Sequence, residues 1–175
     1  MSDLGFVGLG AIGGAIAERL LTQKHRLRVY DINADALTRL VDLGASNGQS
    51  CMELSAGCEI VFLSLPSPEV VEHVVLGQSG LLSQSKKLRY IVDLSTNSPQ
   101  LSRKISAAAE QVGVNYLDAP VSGGRAGAKK GTLSVMIGGS ASAFEAIKPI
   151  ILGLGANIFH VGPSGSGSLA KLVNN

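Results

Sequence analysis

Along this chain, short apolar runs alternate with longer stretches whose apolar positions recur every three to four residues. The first pattern marks strands and the second marks amphipathic helices. Leu4 to Val7 reads as a first strand, and Ile12, Ile16 and Leu20 continue at helical spacing through Leu21. Leu27 to Tyr30 is a second strand and Asp35 to Leu43 a second helix, with a weak strand near Ala45 and Ser46. Ile60 to Leu65 is a strongly apolar strand, followed by a helix from Pro68 to Val75. Tyr90 to Asp93, a helix from Pro99 to Val112, and Val114 to Leu117 complete the series. This alternation predicts the α/β class, a doubly wound and mainly parallel sheet with helices on both faces.

After Leu117 the rhythm changes. Leu133 to Ile137 and Asn157 to Val161 read as extra C-terminal strands, with a helix from Ala141 to Ile151 between them. Gly162 to Ser168 is rich in glycine and serine, and the apolar positions Leu169, Leu172 and Val173 follow at once. That makes the segment a lead-in loop to the start of a long helix rather than a free linker. A helix of two or three turns is marginal on its own, so it calls for tertiary support or a continuation beyond Asn175.

A length of 175 residues suits one domain. With 45% hydrophobic and 16% charged residues, the chain has far too much apolar material for a disordered segment. The net charge of +2 is scattered, and Lys86, Lys87 and Arg89 form the only short basic cluster near the middle, so no nucleic-acid partner is expected. Cys51 and Cys58 have no histidine at ligand spacing; two reduced thiols and no metal site are expected. Met1-Ser2-Asp3 leads straight into a strand, and no apolar run approaches the roughly 18 residues of a membrane span. A cytoplasmic protein without a signal peptide or membrane partner is the expectation.

Gly8, Gly10 and Gly13 form a G-x-G-x-x-G pattern, with Leu9, Ala11 and Ile12 between them, where the first strand passes into the first helix. That context makes the pattern a Rossmann-type dinucleotide fingerprint. Gly8 permits the turn, Gly10 admits the pyrophosphate to the backbone, and Gly13 lets the helix pack closely on the strand. Asp31 ends the second strand, 23 residues after Gly8. A carboxylate there accepts hydrogen bonds from ribose hydroxyls and repels a 2′-phosphate, which points to NAD. FAD uses similar cradles, and a turn or helix-capping role is the ordinary alternative for Asp31.

At the other end, Gly167, Lys171 and Asn175 lie four apart. On a helix they share one face: the glycine leaves room for a ligand, the ammonium can give up a proton, and the amide can hold a polar atom beside it.

Four segments together resemble the β-hydroxyacid dehydrogenase family, which includes the 3-hydroxyisobutyrate dehydrogenases and tartronate semialdehyde reductases. They are GFVGLGAIG at 5–13, DLST at 93–96, DAPVSGG at 118–124, and the Gly167-Lys171-Asn175 helix, in the family's order. The resemblance implies that Ser122, Gly123 and Gly124 bind the substrate's acid group, to which a hydroxyl and unobstructed amides are suited. It implies that Lys171 is the catalytic proton donor and acceptor, and that Asn175 hydrogen-bonds substrate near the reacting oxygen. It places Thr96 beside the nicotinamide, with Leu65 and Pro66 lining the cofactor cleft. His25, His73 and His160 match no functional position.

The expected organisation is a dinucleotide-binding domain over 1–162, then a loop and the start of an inter-domain catalytic helix over 163–175. The family's all-helical domain, which usually makes the dimer, would follow Asn175; the full-length form is expected to be a homo-oligomer and this chain alone to be inactive. The expected function is NAD-dependent interconversion of a small hydroxyacid and its semialdehyde or keto acid. A non-catalytic NAD(H)-binding module and an imine reductase on the same scaffold are the rivals. Lys171 argues against both, since degenerate modules lose it and imine reductases typically replace it.

Overall fold

The computed structural model describes residues 2–175; Met1, with which the sequence-predicted first domain begins, lies outside the described residues. The chain runs β1 (Asp3–Val7), α1 (Ala11–Thr22), β2 (Arg26–Tyr30), α2 (Ala34–Asp42), β3 (Ser46–Asn47), α3 (Cys51–Gly57), β4 (Ile60–Leu63), α4 (Pro68–Leu76), β5 (Tyr90–Asp93) and α5 (Pro99–Gln111). It continues through β6 (Asn115–Asp118), β7 (Val121–Ser122), α6 (Gly124–Lys130), β8 (Leu133–Gly138), α7 (Ala141–Ile151), β9 (Gly155–Gly162) and α8 (Ser166–Asn174). The sheet order is β3-β2-β1-β4-β5-β6-β8-β7, with β9 paired to β8. From β3 to β6 every pairing is parallel, while β8 runs antiparallel to β6 and β7 and parallel to β9. Strand order reverses between β1 and β4. In open α/β sheets, ligands bind in the crevice beyond the strand C-termini at such a reversal.

Alternation along each strand divides the interior into two layers. Phe6, Val29, Phe62, Val92 and Leu117 point to one face and meet Ile16, Leu20 and Ile147. Val7, Val61, Leu63, Ile91 and Tyr116 point to the other, against Leu54, Val71 and Ile105. Each fully buried Leu, Ile or Phe side chain contributes about 1.5–3 kcal/mol. Helix starts are set locally: Asn33, Ser50, Ser67, Ser98 and Ser140 each accept a hydrogen bond from an amide of the turn they cap. Each cap stabilises its helix by about 1 kcal/mol. Pro68 and Pro99 open two of these helices, where a missing N–H costs nothing.

Several boundaries depart from the pattern read in the sequence. The strand expected over Ile60 to Leu65 stops at Leu63, because the Leu65 amide turns away to donate to Ser95 Oγ at 2.9 Å. Three elements were not foreseen: α3, β7 and α6. The first is a seven-residue helix capped by Ser50, the second has two residues, and the third carries two glycines. Helix α8 begins at Ser166, inside the stretch expected to be loop. No described helix is long and apolar enough to cross a membrane.

Candidate cofactor and substrate site

A cleft of roughly 570 Å³ opens over the C-terminal ends of β1, β2 and β4. Its floor is the fingerprint turn, with Gly8, Gly10, Ala11, Ile12 and Gly13, and Asp31 stands at its rim. Tyr30, Leu65, Val70 and Val74 give it an apolar wall. The glycines divide into two kinds. A methyl group on Gly13 would strike the Gly8 carbonyl, and one on Gly8, which has φ 93°, would strike the Ser64 carbonyl. These two are required by the close approach of α1 to β1 and β4. Gly10 differs, since a methyl there would meet no protein atom within 4 Å and would project into open space. The backbone is thus bared toward the cleft at the N-cap of α1, as a dinucleotide's pyrophosphate requires.

Leu9 stands apart from the other fingerprint positions. Its side chain is buried in the core rather than in this cleft, and its amide donates to Asp31 Oδ2 at 2.5 Å. Asp31 Oδ1 accepts from the Asn33 amide at 2.7 Å, so this carboxylate fixes the fingerprint turn and also faces the cleft. The turn role and the ligand role are both open to it, because each carboxylate oxygen can accept a second hydrogen bond.

A second cleft of roughly 460 Å³ adjoins the first and shares Ile12, Ser64, Leu65 and Pro66 with it. It brings Thr96, Ser122, Gly123, Gly124, Lys171 and Asn175 together from three separate parts of the chain. Thr96 is exposed between buried Ser95 and Asn97, so the loop after β5 aims it outward. Ser122 lies in β7, Gly123 caps α6 at φ 128° with no side-chain cap, and Gly124 opens α6 at φ 60°, so the first amides of the helix have no partner within it. Lys171 is half-buried and Asn175 exposed.

Gly167 does not belong to this lining. It is buried, and a methyl group on it would strike the carbonyls of Asp118 and Met136 and lie 2.8 Å from the Gly138 amide. The glycine makes room for the sheet, not for a ligand, and so lets α8 rest directly on the backbone of β6 and β8.

Two buried carboxylates escaped the sequence reading as site builders. Asp118 accepts from the Gly165 amide at 2.8 Å and the Ser168 amide at 2.7 Å, tying the first turn of α8 to the end of β6. Ser168 Oγ is also hydrogen-bonded to Ser102 Oγ of α5 at 2.8 Å. Asp93 accepts from the Ser95 amide at 3.0 Å, Asn97 Nδ2 at 3.3 Å and the Tyr116 hydroxyl at 2.7 Å. Burial pushes the Asp93 carboxyl above its ordinary pKa, against the pull of these donors. Burial and then the Asp93 charge hold the Tyr116 phenol well above its own. The signal was present in the runs YIVD and NYLD, where an acid closes an otherwise apolar strand. Among the described residues no group of three or more acidic, histidine or cysteine side chains is placed to hold a metal ion.

Sheet order, fingerprint turn and bared Gly10 define a Rossmann-type dinucleotide-binding domain. Residues 3–162 match the NAD binding domain of 6-phosphogluconate dehydrogenase; the chain belongs to this family, on its β-hydroxyacid dehydrogenase branch, and its cofactor is NAD. It is 42% identical over 175 residues to a 3-hydroxyisobutyrate dehydrogenase of Pseudomonas aeruginosa, covering 100% of this chain and 59% of the relative. An NAD-dependent L-serine dehydrogenase of the same organism is likewise 42% identical, with the same coverage. The solved structure of Mycobacterium tuberculosis 3-hydroxyisobutyrate dehydrogenase with L-serine superposes at a TM-score of 0.92, at 32% identity, covering 99% of this chain and 59% of that one. The chain thus spans 59% of the length of these relatives.

Proposed function

We propose that this chain is the cofactor-binding part of an NAD-dependent oxidoreductase that interconverts a small hydroxyacid and its semialdehyde or keto acid. The observation that carries this reading is the single continuous crevice. Its fingerprint end suits the dinucleotide, and its other end gathers the Lys171 ammonium, the Asn175 amide, the hydroxyls of Thr96 and Ser122 and the start of α6. In this reading the domain occupies 1–162, and residues 163–175 form the loop and the start of the catalytic helix.

Gly8, Gly10, Ala11, Ile12 and Gly13 cradle the pyrophosphate and Asp31 accepts from the adenosine ribose. Leu65, Pro66 and Thr96 direct the nicotinamide toward the second cleft. Bound NAD supplies the hydride acceptor, and NADH the donor, for the carbon that carries the reacting oxygen. Lys171 gives its proton to that oxygen as a carbonyl is reduced and takes it back as an alcohol is oxidised. Asn175, one turn further at the C-cap of α8, hydrogen-bonds the same region of the substrate. Ser122 Oγ and the amides of Gly123 and Gly124 hold the carboxylate and so place the hydroxyl-bearing carbon against the nicotinamide. The two relatives named for 3-hydroxyisobutyrate and L-serine share an acid with a hydroxyl on the β carbon. That is the substrate class we propose.

The activity belongs to the whole protein that carries this domain, which we expect to be a cytoplasmic homo-oligomer. The 175-residue chain binds NADH with negligible turnover in this reading, because Thr96 and Asn175 stand exposed to solvent. Water there weakens each electrostatic contact to the reacting oxygen. The deciding experiment compares wild type with Lys171→Ala in the whole protein, by NAD-linked oxidation of 3-hydroxyisobutyrate, L-serine and glycerate. Loss of proton transfer lowers kcat about 10²- to 10⁴-fold and leaves NADH affinity unchanged. Turnover near that of wild type would assign the proton to another group.

A further inference from the structure

The fingerprint turn has a second, charged flank. A groove of roughly 290 Å³ shares Gly10, Ala11 and Ala36 with the cofactor cleft and continues from it toward α6. Three cations border the groove, Arg39 from α2 and Arg125 and Lys129 from α6, against one carboxylate, Glu18. Arg39 is committed elsewhere: it is ion-paired with Glu18, and its guanidinium lies over Gly14 on α1. Arg125 and Lys129 are exposed and make no ion pair or side-chain hydrogen bond among the described residues. They stand four apart on α6, hence on one side of it. Helix α6 is itself seated on α1, with Arg19 closing over Gly131 at its C-terminal end.

We propose that Arg125, supported by Lys129, is a further cofactor-binding residue that reaches across this groove to the diphosphate of the dinucleotide. The inference rests on the fingerprint cleft being the cofactor site. A diphosphate over Gly10 to Ile12 brings two negative charges, whereas the start of α1 offers only about half a positive charge. The remainder calls for a side-chain cation, and the fingerprint turn itself supplies none: positions 8 to 14 are Gly, Leu, Gly, Ala, Ile, Gly and Gly. Arg125 and Lys129 are free to answer it because no carboxylate holds them. An adenosine 2′-phosphate is the other phosphate such cations could meet, but Asp31 stands at the rim where it would lie.

The test is calorimetric titration of wild type, Arg125→Gln, Arg125→Lys and Lys129→Gln with NADH, NADPH and ADP-ribose at low salt, and with adenosine by ligand-observed NMR. Charge-assisted contacts of this kind, partly screened at an exposed site, give a change of about tenfold. Arg125→Gln therefore weakens NADH and ADP-ribose alike by about tenfold, at an unchanged melting temperature, and leaves adenosine binding as in wild type. Arg125→Lys retains most of the affinity, and Lys129→Gln loses less than Arg125→Gln. Unchanged NADH affinity in Arg125→Gln, an equal loss for adenosine, or a loss confined to NADPH each overturns the assignment. A wild-type chain that binds no NADH defeats the cofactor-site reading itself, and this inference with it.

Discussion

Asp93 and Asp118 are register partners at the ends of β5 and β6, and each directs its carboxylate into backbone beyond its strand. Asp93 folds back the loop that presents Thr96, while Asp118 grips the first turn of the helix that carries Lys171. Two sides of the second cleft are thus held by neighbouring acids at the C-terminal ends of two adjacent interior strands. Ser95 extends the first arrangement, since its hydroxyl accepts from the Leu65 amide and fixes the segment shared by both clefts.

Replacing Asp118 by Asn tests that arrangement. One amide oxygen can still accept from Gly165 or Ser168, but the new NH₂ faces the other backbone donor. A buried donor left unsatisfied costs about 1–3 kcal/mol. Urea denaturation of Asp118→Asn should show a loss of that size, and Asp118→Ala a larger one. Wild-type stability in both variants would remove Asp118 from the architecture of the site.

The fingerprint glycines separate folding from binding. Gly13→Ala forces a methyl group onto the Gly8 carbonyl, so it should lower the melting temperature and NADH affinity together. Gly10→Ala meets nothing in the protein and should melt like wild type, yet its methyl occupies the space the pyrophosphate needs. We expect NADH binding to weaken at least about tenfold, the scale of one lost charge-assisted contact. Equal NADH affinity in Gly10→Ala and wild type would move the pyrophosphate away from this turn.

Much of this architecture could be read from the chain because strand and helix periods alternate so regularly between Leu4 and Leu117. The helix over Ala141–Ile151 matches the sequence reading at both ends, with Ser140 as its cap. What escaped is short or depends on tertiary contacts. Cys51–Gly57 is too brief to show a helical period, and Gly124–Lys130 is helical despite Gly124 and Gly127. Gly167 shows the limit of spacing arguments. Its place one turn before Lys171 suggested a ligand, whereas the carbonyls of Asp118 and Met136, from distant strands, explain it. That Lys171, Asn175 and Ser122 share one cleft was legible because short motifs carry their neighbourhood with them. Arg125 was not, because its relation to Gly10 arises only when α6 docks on α1.

In the proposed reading, cofactor preference turns on Asp31. Its carboxylate at the cleft rim favours free ribose hydroxyls and opposes an added phosphate, so NADH should bind more tightly than NADPH in a calorimetric comparison. Asp31→Ala should narrow that preference. It should also lose stability, because the amides of Leu9 and Asn33 lose their acceptor. Equal affinities in wild type would leave Asp31 with the turn role alone.

Cys51 and Cys58 are buried, and burial pushes both thiols up to about 11. The reactive thiolate is therefore almost absent from the native state near neutrality. Ellman's reagent at pH 8 should label both sulfurs only as fast as the protein opens, and denaturant should accelerate labelling sharply. The linkage sign follows from the raised values. Below pH 9 both states keep their protons; between pH 9 and 11 the unfolded chain releases them first, so stability falls as pH rises through that window. Immediate labelling of both thiols in the native protein would show that they are not enclosed.

Helix α8 should divide into two dynamic parts. Gly167 and Ser168 are buried, and the amides of Gly165 and Ser168 are bound by Asp118 inside the protein. Leu169, Leu172 and Val173 are 55%, 52% and 82% exposed, so the next two turns have little apolar packing to hold them. Short helical segments without such packing fray readily in water. Amide exchange should therefore be slow at Gly165 and Ser168 and fast from Leu172 onward, with Lys171 at the boundary. Asp118→Ala, which removes both acceptors, should abolish the slow class while leaving the core strand β4 protected. Uniform protection along α8 would mean that its outer turns are held by more than the contacts Asp118 and Gly167 provide, and Lys171 would then stand on a rigid element without further help.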